Sequence, residues 1–259
     1  MRIRAAAAAG TASAALVLTA VAVVPVHAEG GPVITKVVVN KGKNILVGPT
    51  AVTKFSAQIT ASDPSGVIVA DVQLWYGTSR DNRTGAISYD APTCHADSAT
   101  TTTCTMNFQV KADTRDMTNT VSNAKAGTWH IYASAFSKNR VQTTIDSYAT
   151  TKVQRTSQLT ANAAPEPVKK GKTLTVTGKL SRANWDTHKY AGYSSQKVKL
   201  QYRPKNSTTY TTLKTVTTTS TGELKTTVTA TADGYYRYSF PGTTTTPAIN
   251  AAGDYIDVT

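Results

Sequence analysis

The sequence predicts an all-β protein: two tandem antiparallel β-sandwiches behind an N-terminal signal peptide. Three observations predict it. Apolar and polar residues alternate in run after run, as they do in strands with one buried face, and helical periodicity is almost absent. Clusters of Gly, Pro, Asn and Asp stand between those runs and supply turns, with no room for crossover helices. The first 28 residues, by contrast, have a basic start, an apolar run and a small-residue end.

That opening segment reads MRIRAAAAAGTASAALVLTAVAVVPVHAEGG. Arg2 and Arg4 form the positive region, an apolar run extends from Ala12 to Val24, and Val26-His27-Ala28 presents small side chains where a signal peptidase cuts. The apolar run is shorter than the roughly 20 residues that cross a bilayer. Ile3 separates the two arginines, which excludes a twin-arginine signal, and no cysteine stands near the cut for a lipid anchor. The C-terminal AAGDYIDVT has no apolar tail. The expectation is cleavage after Ala28, no membrane span, and a secreted protein, extracellular or associated with the cell wall.

The remaining chain is long enough for two domains with a core each. The division is expected within 152–158, giving domains of 29–154 and 155–259. Charge is uneven between them. Residues 29–154 hold 12 basic and 9 acidic side chains, a net +3, and residues 155–259 hold 14 and 6, a net +8. A basic half suits an anionic neighbour such as a wall polymer or glycan, although scattered cations also serve solubility. The basic residues are dispersed along strands, apart from Lys169-Lys170-Gly171-Lys172.

The strands follow in order. In AVTKFSAQITA, Phe55, Ala57 and Ile59 share one face, opposite Lys54 and Gln58. In VIVADVQLWY, the inward set is Ile68, Ala70, Val72, Leu74 and Tyr76, with Asp71, Gln73 and Trp75 outward. CTMNFQVK buries Cys104, Met106, Phe108 and Val110, and GTWHIYASAF buries Trp129, Ile131, Ala133 and Ala135. In the second half, Leu174 and Val176, then Val198, Leu200 and Tyr202, then Leu224 and Val228, then Tyr236, Tyr238 and Phe240 form the inward sets. Asp63-Pro64-Ser65-Gly66, Thr221-Gly222-Glu223 and Asp233-Gly234 are turns. In Ala164-Pro165-Glu166-Pro167-Val168 the alternate prolines cannot donate ladder bonds, so the segment reads as an edge crossing between sheets, with the linker itself, and a boundary about ten residues later, as the alternative.

These residues carry a resemblance. The stretch from APEPVKKGKTLTVTGKL through QKVKLQYRP and GYYRYSF to GDYIDVT resembles the bacterial immunoglobulin-like domain of secreted actinobacterial proteins. KVVVNKGKNILVGP, ITASDPSGV, DVQLWYGT and AGTWHIYASA are similar to the domain that precedes it in such two-domain proteins. The resemblance implies immunoglobulin-like sandwiches and export. It implies no activity, apart from a general association of some relatives with calcium.

Three constellations carry candidate chemistry. The two cysteines, Cys94 and Cys104, enclose His95 and Asp97. An even count in an exported chain favours a disulfide. The polar SATTTT at 98–103 reads as the turn between them, with a strand starting at Cys104. The spacing lacks the paired CxxC of a zinc knuckle. Calcium takes six to eight oxygens, and Asp63, Asp71, Asp81, Asp90, Asp113 and Asp116 supply carboxylates in the first domain, but without a DxDxDG loop. Ordinary turn chemistry accounts for them without a metal and is the favoured reading. The segment SRANWDTHKYAGYSSQ, 181–196, reads as a long loop with Trp185, His188, Tyr190 and Tyr193 beside Arg182 and Lys189. These rings either contact a sugar or a protein partner, or fold back over the open end of the core.

Catalysis is not expected. GxSxG, HExxH and P-loop patterns are absent, and His95, His130 and His188 have no Ser, Cys or carboxylate in a recognisable arrangement near them in sequence. Basic and aromatic residues interleave from Lys197 to Arg203, but Val198, Leu200 and Tyr202 are needed for the core, and nucleic acid is not an expected partner. The expected function is an exported, non-catalytic binding or structural module of the cell envelope or extracellular polymers. A calcium-binding extracellular module and an inhibitor of extracellular hydrolases are the alternatives.

Overall fold

The computed structural model describes residues 30–80, 84–115 and 117–259. The expected signal peptide, 1–28, lies outside the described residues. The first sandwich comprises β1 (Val33–Val39), β2 (Ile45–Val47), β3 (Thr53–Ser62), β4 (Val67–Tyr76), β5 (Thr84–Ala86), β6 (Thr93–Ala96), β7 (Thr101–Ala112), β8 (Thr120–Val121), β9 (Gly127–Ser137) and β10 (Gln142–Arg155). One sheet has the order β1-β3-β7-β6, with β8 added to β7; the other is β2-β10-β9-β4-β5. All these pairs are antiparallel except β10 with β2 and β7 with β8. Two sheets of this order, with consecutive strands distributed between them, make an immunoglobulin-like sandwich. In antibody domains a disulfide joins the two sheets; here the disulfide lies within one sheet.

Alternation places the core. Phe55, Ala57 and Ile59 of β3 meet Met106, Phe108 and Cys104 of β7 on the inner face, and Trp129 of β9 is fully buried among them. The rings of Phe55 and Phe108 stack at 5.1 Å. The expected phase of β4 needs two corrections. The pairing of β4 with β9 shifts between Val67 and Val69, so Val67 turns inward and Ile68 is 50% exposed. Trp75 does face outward, yet it is buried: its indole stacks on His130 at 4.1 Å and its Nε1 donates to the Asp146 carbonyl at 2.7 Å.

The second sandwich comprises β11 (Ser157–Leu159), β12 (Asn162–Ala164), β13 (Thr173–Asn184), β14 (Lys189–Gly192), β15 (Lys197–Pro204), β16 (Thr211–Thr217), β17 (Glu223–Thr229), β18 (Gly234–Phe240), β19 (Ile249–Asn250) and β20 (Asp254–Ile256). In one sheet β13 pairs with β11 and β12 along one edge, and with β17 and then β14 along the other. The facing sheet runs β16-β15-β18, with β19 and β20 both on β18. Leu174, Val176, Val198, Leu200, Tyr236, Tyr238 and Phe240 fill the space between. Tyr202 and Val228 are only half-buried at its margin. Beyond the Ala164–Val168 segment, Val168 bridges to Val258, so the chain crosses here from the β13 sheet towards the β20 side.

At the C-terminal end, Asp233 accepts hydrogen bonds from the Val258 backbone N–H at 2.9 Å and the Tyr255 hydroxyl at 3.3 Å, and Lys205 lies 3.5 Å away. These partners, the Val258 bond foremost, hold its carboxyl below the usual carboxylate range. A depressed folded pKa gives stability that is present above the unfolded value and lost as pH falls through the folded one. The melting-temperature advantage of the native chain over Asp233→Asn should therefore be constant from pH 7 to pH 5 and disappear towards pH 2. A difference independent of pH over that range would contradict it.

Candidate functional site

The segment expected to be a long aromatic loop is a hairpin. Strand β13 runs past the end of its sandwich, turns at Trp185-Asp186-Thr187-His188 and returns as β14, with Arg182 opposite Ala191 and Asn184 opposite Lys189. A close backbone crossing fixes its base: Leu180 N–H donates to Gly222 O at 2.8 Å and Tyr193 N–H to Leu180 O at 2.9 Å. A Cβ on Gly192 would lie 2.0 Å from the Thr221 carbonyl oxygen. Gly192→Ala should therefore destabilise the chain by at least about 1–3 kcal/mol, as overpacking does. Chemical denaturation checks this, and a neutral effect would show that the crossing is not tight.

The hairpin tip enters the first sandwich. Trp185 and Ala183 have no exposed surface and belong to the hydrophobic core of the first domain, not of the second. Trp185 Nε1 donates to Val47 O at 3.1 Å, at the end of β2. Asn123 meets the tip with every polar group of its side chain. Its Oδ1 accepts from Trp185 N–H at 2.9 Å, and its Nδ2 donates to Asn184 Oδ1 at 2.8 Å and Asp186 Oδ2 at 2.7 Å. The Asn123 backbone N–H donates to Asp186 Oδ1 at 2.9 Å.

The connection between the sandwiches is built into the same seam. Arg155, the last residue of β10, is buried, with Nε donating to Ala183 O at 2.5 Å and its backbone N–H to Thr245 O at 3.0 Å. Burial, with Arg182 nearby, brings its guanidinium down to about 10, and Asp186 opposes that shift. Gln154 is also buried. Its Nε2 donates to Thr243 O and Thr244 O, and its Oε1 accepts from Asn44 Nδ2. Thr156 reaches back to Val47 O through its N–H at 3.0 Å. Buried polar groups with partners fix one geometry, because any slippage leaves them unpaired.

The four residues expected to bind a ligand are therefore divided. Trp185 is sealed in the seam and offers no face to a ligand, which corrects the expectation for that ring. Tyr193 is buried in the second core, edge-on to Phe240 at 5.8 Å, with the Arg182 guanidinium 3.8 Å above its ring. His188 and Tyr190 remain exposed at the rim, with His188 Nδ1 3.2 Å from Pro49 O and the Tyr190 hydroxyl 2.9 Å from Thr156 Oγ1. The fold-back alternative describes Trp185 and Tyr193, with the added fact that Trp185 covers the neighbouring core. Asn123, Gln154, Arg155 and the turn at Thr243–Thr246 complete the junction, and nothing in their local sequence marks them.

The cysteines are joined. Cys94 of β6 and Cys104 of β7 stand directly opposite, with Cα atoms 4.0 Å apart and a sulfur–sulfur bond of 2.03 Å. Strand β7 already begins at Thr101, so the turn is shorter than expected. His95 is exposed, and Asp97 accepts from the Thr103 hydroxyl at 2.6 Å. Of the other aspartates, Asp63 caps its turn by accepting from Ser65 N–H at 2.8 Å, and Asp113 forms a paired contact with Arg115 at 2.6–3.2 Å. Asp81 and Asp116 lie outside the described residues. Among the described residues no three His, Cys, Asp or Glu side chains gather as metal ligands.

One pairing escaped the sequence. His130 Nδ1 lies 2.8 Å from Ser147 Oγ, because the β9–β10 register shifts between Ile145 and Ala149. The imidazole face is covered by Trp75, and the adjoining cavity, between Trp75, Arg80 and Ile87, measures about 180 Å³, below the size of ordinary ligand sites.

The chain matches no family model and no curated protein. Among solved structures it is similar to the fibronectin(III)-like modules of Clostridium thermocellum CbhA, with 11% identity and a TM-score of 0.34, covering 86% of this chain and 93% of that one. It is also similar to the D00-D0 domain of intimin, with 13% identity and a TM-score of 0.28, covering 85% and 99%. A third likeness is to dimeric latent PorU from Porphyromonas gingivalis, with 14% identity and a TM-score of 0.29; it covers 88% of this chain and 20% of PorU, so the chain spans a fifth of that protein. TM-scores this low carry no argument, and the fold class rests on the strand pairing itself. No helix among the described residues is long and apolar enough to cross a membrane.

Proposed function

We propose that the chain is an exported, non-catalytic binding or structural module of the cell envelope or of extracellular polymers. In this reading residues 1–28 are a signal peptide that is removed, and residues 29–154 and 155–259 are its two domains. The junction carries the reading. The hairpin that could have presented aromatic rings to a ligand instead locks one sandwich to the next, as suits a rigid presenting unit. The disulfide fits an oxidising compartment, and the excess of 14 basic over 6 acidic residues in 155–259 fits an anionic surface. The test is retention of the full two-domain chain on purified envelope fractions across a salt series. Retention that falls steeply with salt is expected; no retention at low salt would refute the reading.

A further inference from the structure

The outer face of the β15–β18 pair carries cations and lacks carboxylates. Val198 and Leu200 of β15 point inward, so Lys197, Lys199 and Arg203 point outward. On β18, Arg237 stands between the buried Tyr236 and Tyr238 and points outward too. The two strands are antiparallel neighbours, with Gln201 opposite Arg237 and Arg203 opposite Tyr235. Alternate residues along a strand are about 7 Å apart, so Lys197 and Lys199 are neighbours on this face; Gln201 takes the next outward place with Arg237 opposite it on β18, and Arg203 follows.

The guanidinium groups are held in place by rings. Arg203 lies 3.7 Å over Tyr235, and Arg237 lies 3.7 Å over Tyr210. Arg237 Nε donates to Gln201 Oε1 at 2.9 Å, and Arg203 Nη1 to Ser207 O at 2.7 Å. Neither arginine is ion-paired among the described residues; the carboxylate at the end of the face, Asp233, is bound by Val258, Tyr255 and Lys205. Each guanidinium is thus oriented and keeps N–H donors for an incoming anion. Arginine held this way suits paired oxygen acceptors, and lysine suits a point charge.

We propose that this face docks a linear phosphodiester polymer, such as a polyol phosphate. The proposal rests on the envelope reading above and gives it a site. Charge complementarity selects a polyanion whose charges recur along its length. Because the ring faces of Tyr210 and Tyr235 are covered by guanidinium groups, the surface offers charge and donors instead of a platform for stacking sugar rings. A phosphodiester chain meets that need with two free oxygens and a permanent charge at every repeat.

The test measures binding of the full two-domain chain to synthetic poly(glycerol phosphate) at two salt concentrations. Three variants each remove two charges: Arg203→Gln with Arg237→Gln, Lys197→Gln with Lys199→Gln, and, on the other sheet, Lys179→Gln with Lys225→Gln. The arginine pair should weaken binding at least tenfold and flatten its salt dependence. The Lys197 and Lys199 pair should weaken it several-fold while leaving the ring stacks intact, so the test holds even if the arginine pair fails to fold. The control pair should stay within twofold. Equal losses in all three would overturn the proposal, since net charge alone would explain them. Equally tight binding to polygalacturonate or to phosphatidylglycerol vesicles would overturn the choice of polymer. If native envelope retains wild type and variants alike, the face is refuted while the envelope reading stands. If envelope retains neither, and poly(glycerol phosphate) binding still depends on the face, the envelope reading falls and the docking surface stands.

Discussion

Replacing Trp185 with alanine lowers the stability of the chain by about 3–5 kcal/mol, the range for truncating a buried tryptophan. For a chain of this size that corresponds to a fall in melting temperature on the order of 10 °C. The loss falls on the first sandwich, although the residue belongs to the tip of a hairpin of the second, because the ring fills the first core. It also leaves Val47 O and the Asn123 side chain at a looser seam. Trp185→Phe is the control. It keeps most of the ring but loses the bond to Val47 O, so it should cost less than half as much. The measurement is chemical denaturation followed by probes in each domain. A Trp185→Ala protein as stable as the native chain would contradict the assignment of this ring to the core.

The second large effect is removal of the disulfide by the double substitution Cys94→Ala and Cys104→Ala. The bridge closes a loop of sequence separation 10, for which the chain-entropy relation gives about 3 kcal/mol. Cys104 is fully buried and its sulfur lies 3.3 Å from the Ala70 backbone nitrogen, so truncation leaves a small void as well. The loss should appear in the first sandwich, and reductant should produce the crosslink part of it in the unmodified chain, without the void. A reductant-insensitive melting temperature would contradict it.

How much was legible follows from where alternation survives. In β3, β7, β9 and β18 each inward position is covered by the facing sheet of the same domain, so residue type reports burial directly; Phe108, Trp129 and Tyr238 are examples. The paired cysteines were legible because an even count and the expected export point the same way. Ile68 was misread because a register shift, invisible in composition, reverses the phase at the start of β4. The β13–β14 hairpin was misread for a different reason. Its inward side is covered by another domain, so Trp185, Asn184 and Asp186 alternate to suit a seam, and in sequence that mixture of rings and polar groups looks like a loop. The polar partners of the seam come from far along the chain; Asn123 and Asp186, or Gln154 and Thr243, have no local signature. The basic residues from Lys197 to Arg203 were visible as a pattern, but the rings that orient Arg203 and Arg237 come from other strands and turns.

Burial of the hairpin tip in the first core predicts that the two sandwiches tumble as one rigid unit. Residual dipolar couplings of backbone amides in the full two-domain chain test it most directly. Couplings from both sandwiches should fit a single alignment tensor of one magnitude, and Trp185→Ala should split it into two. Two tensors of different magnitude in the native chain would show that the sandwiches move independently and that the hairpin does not lock them.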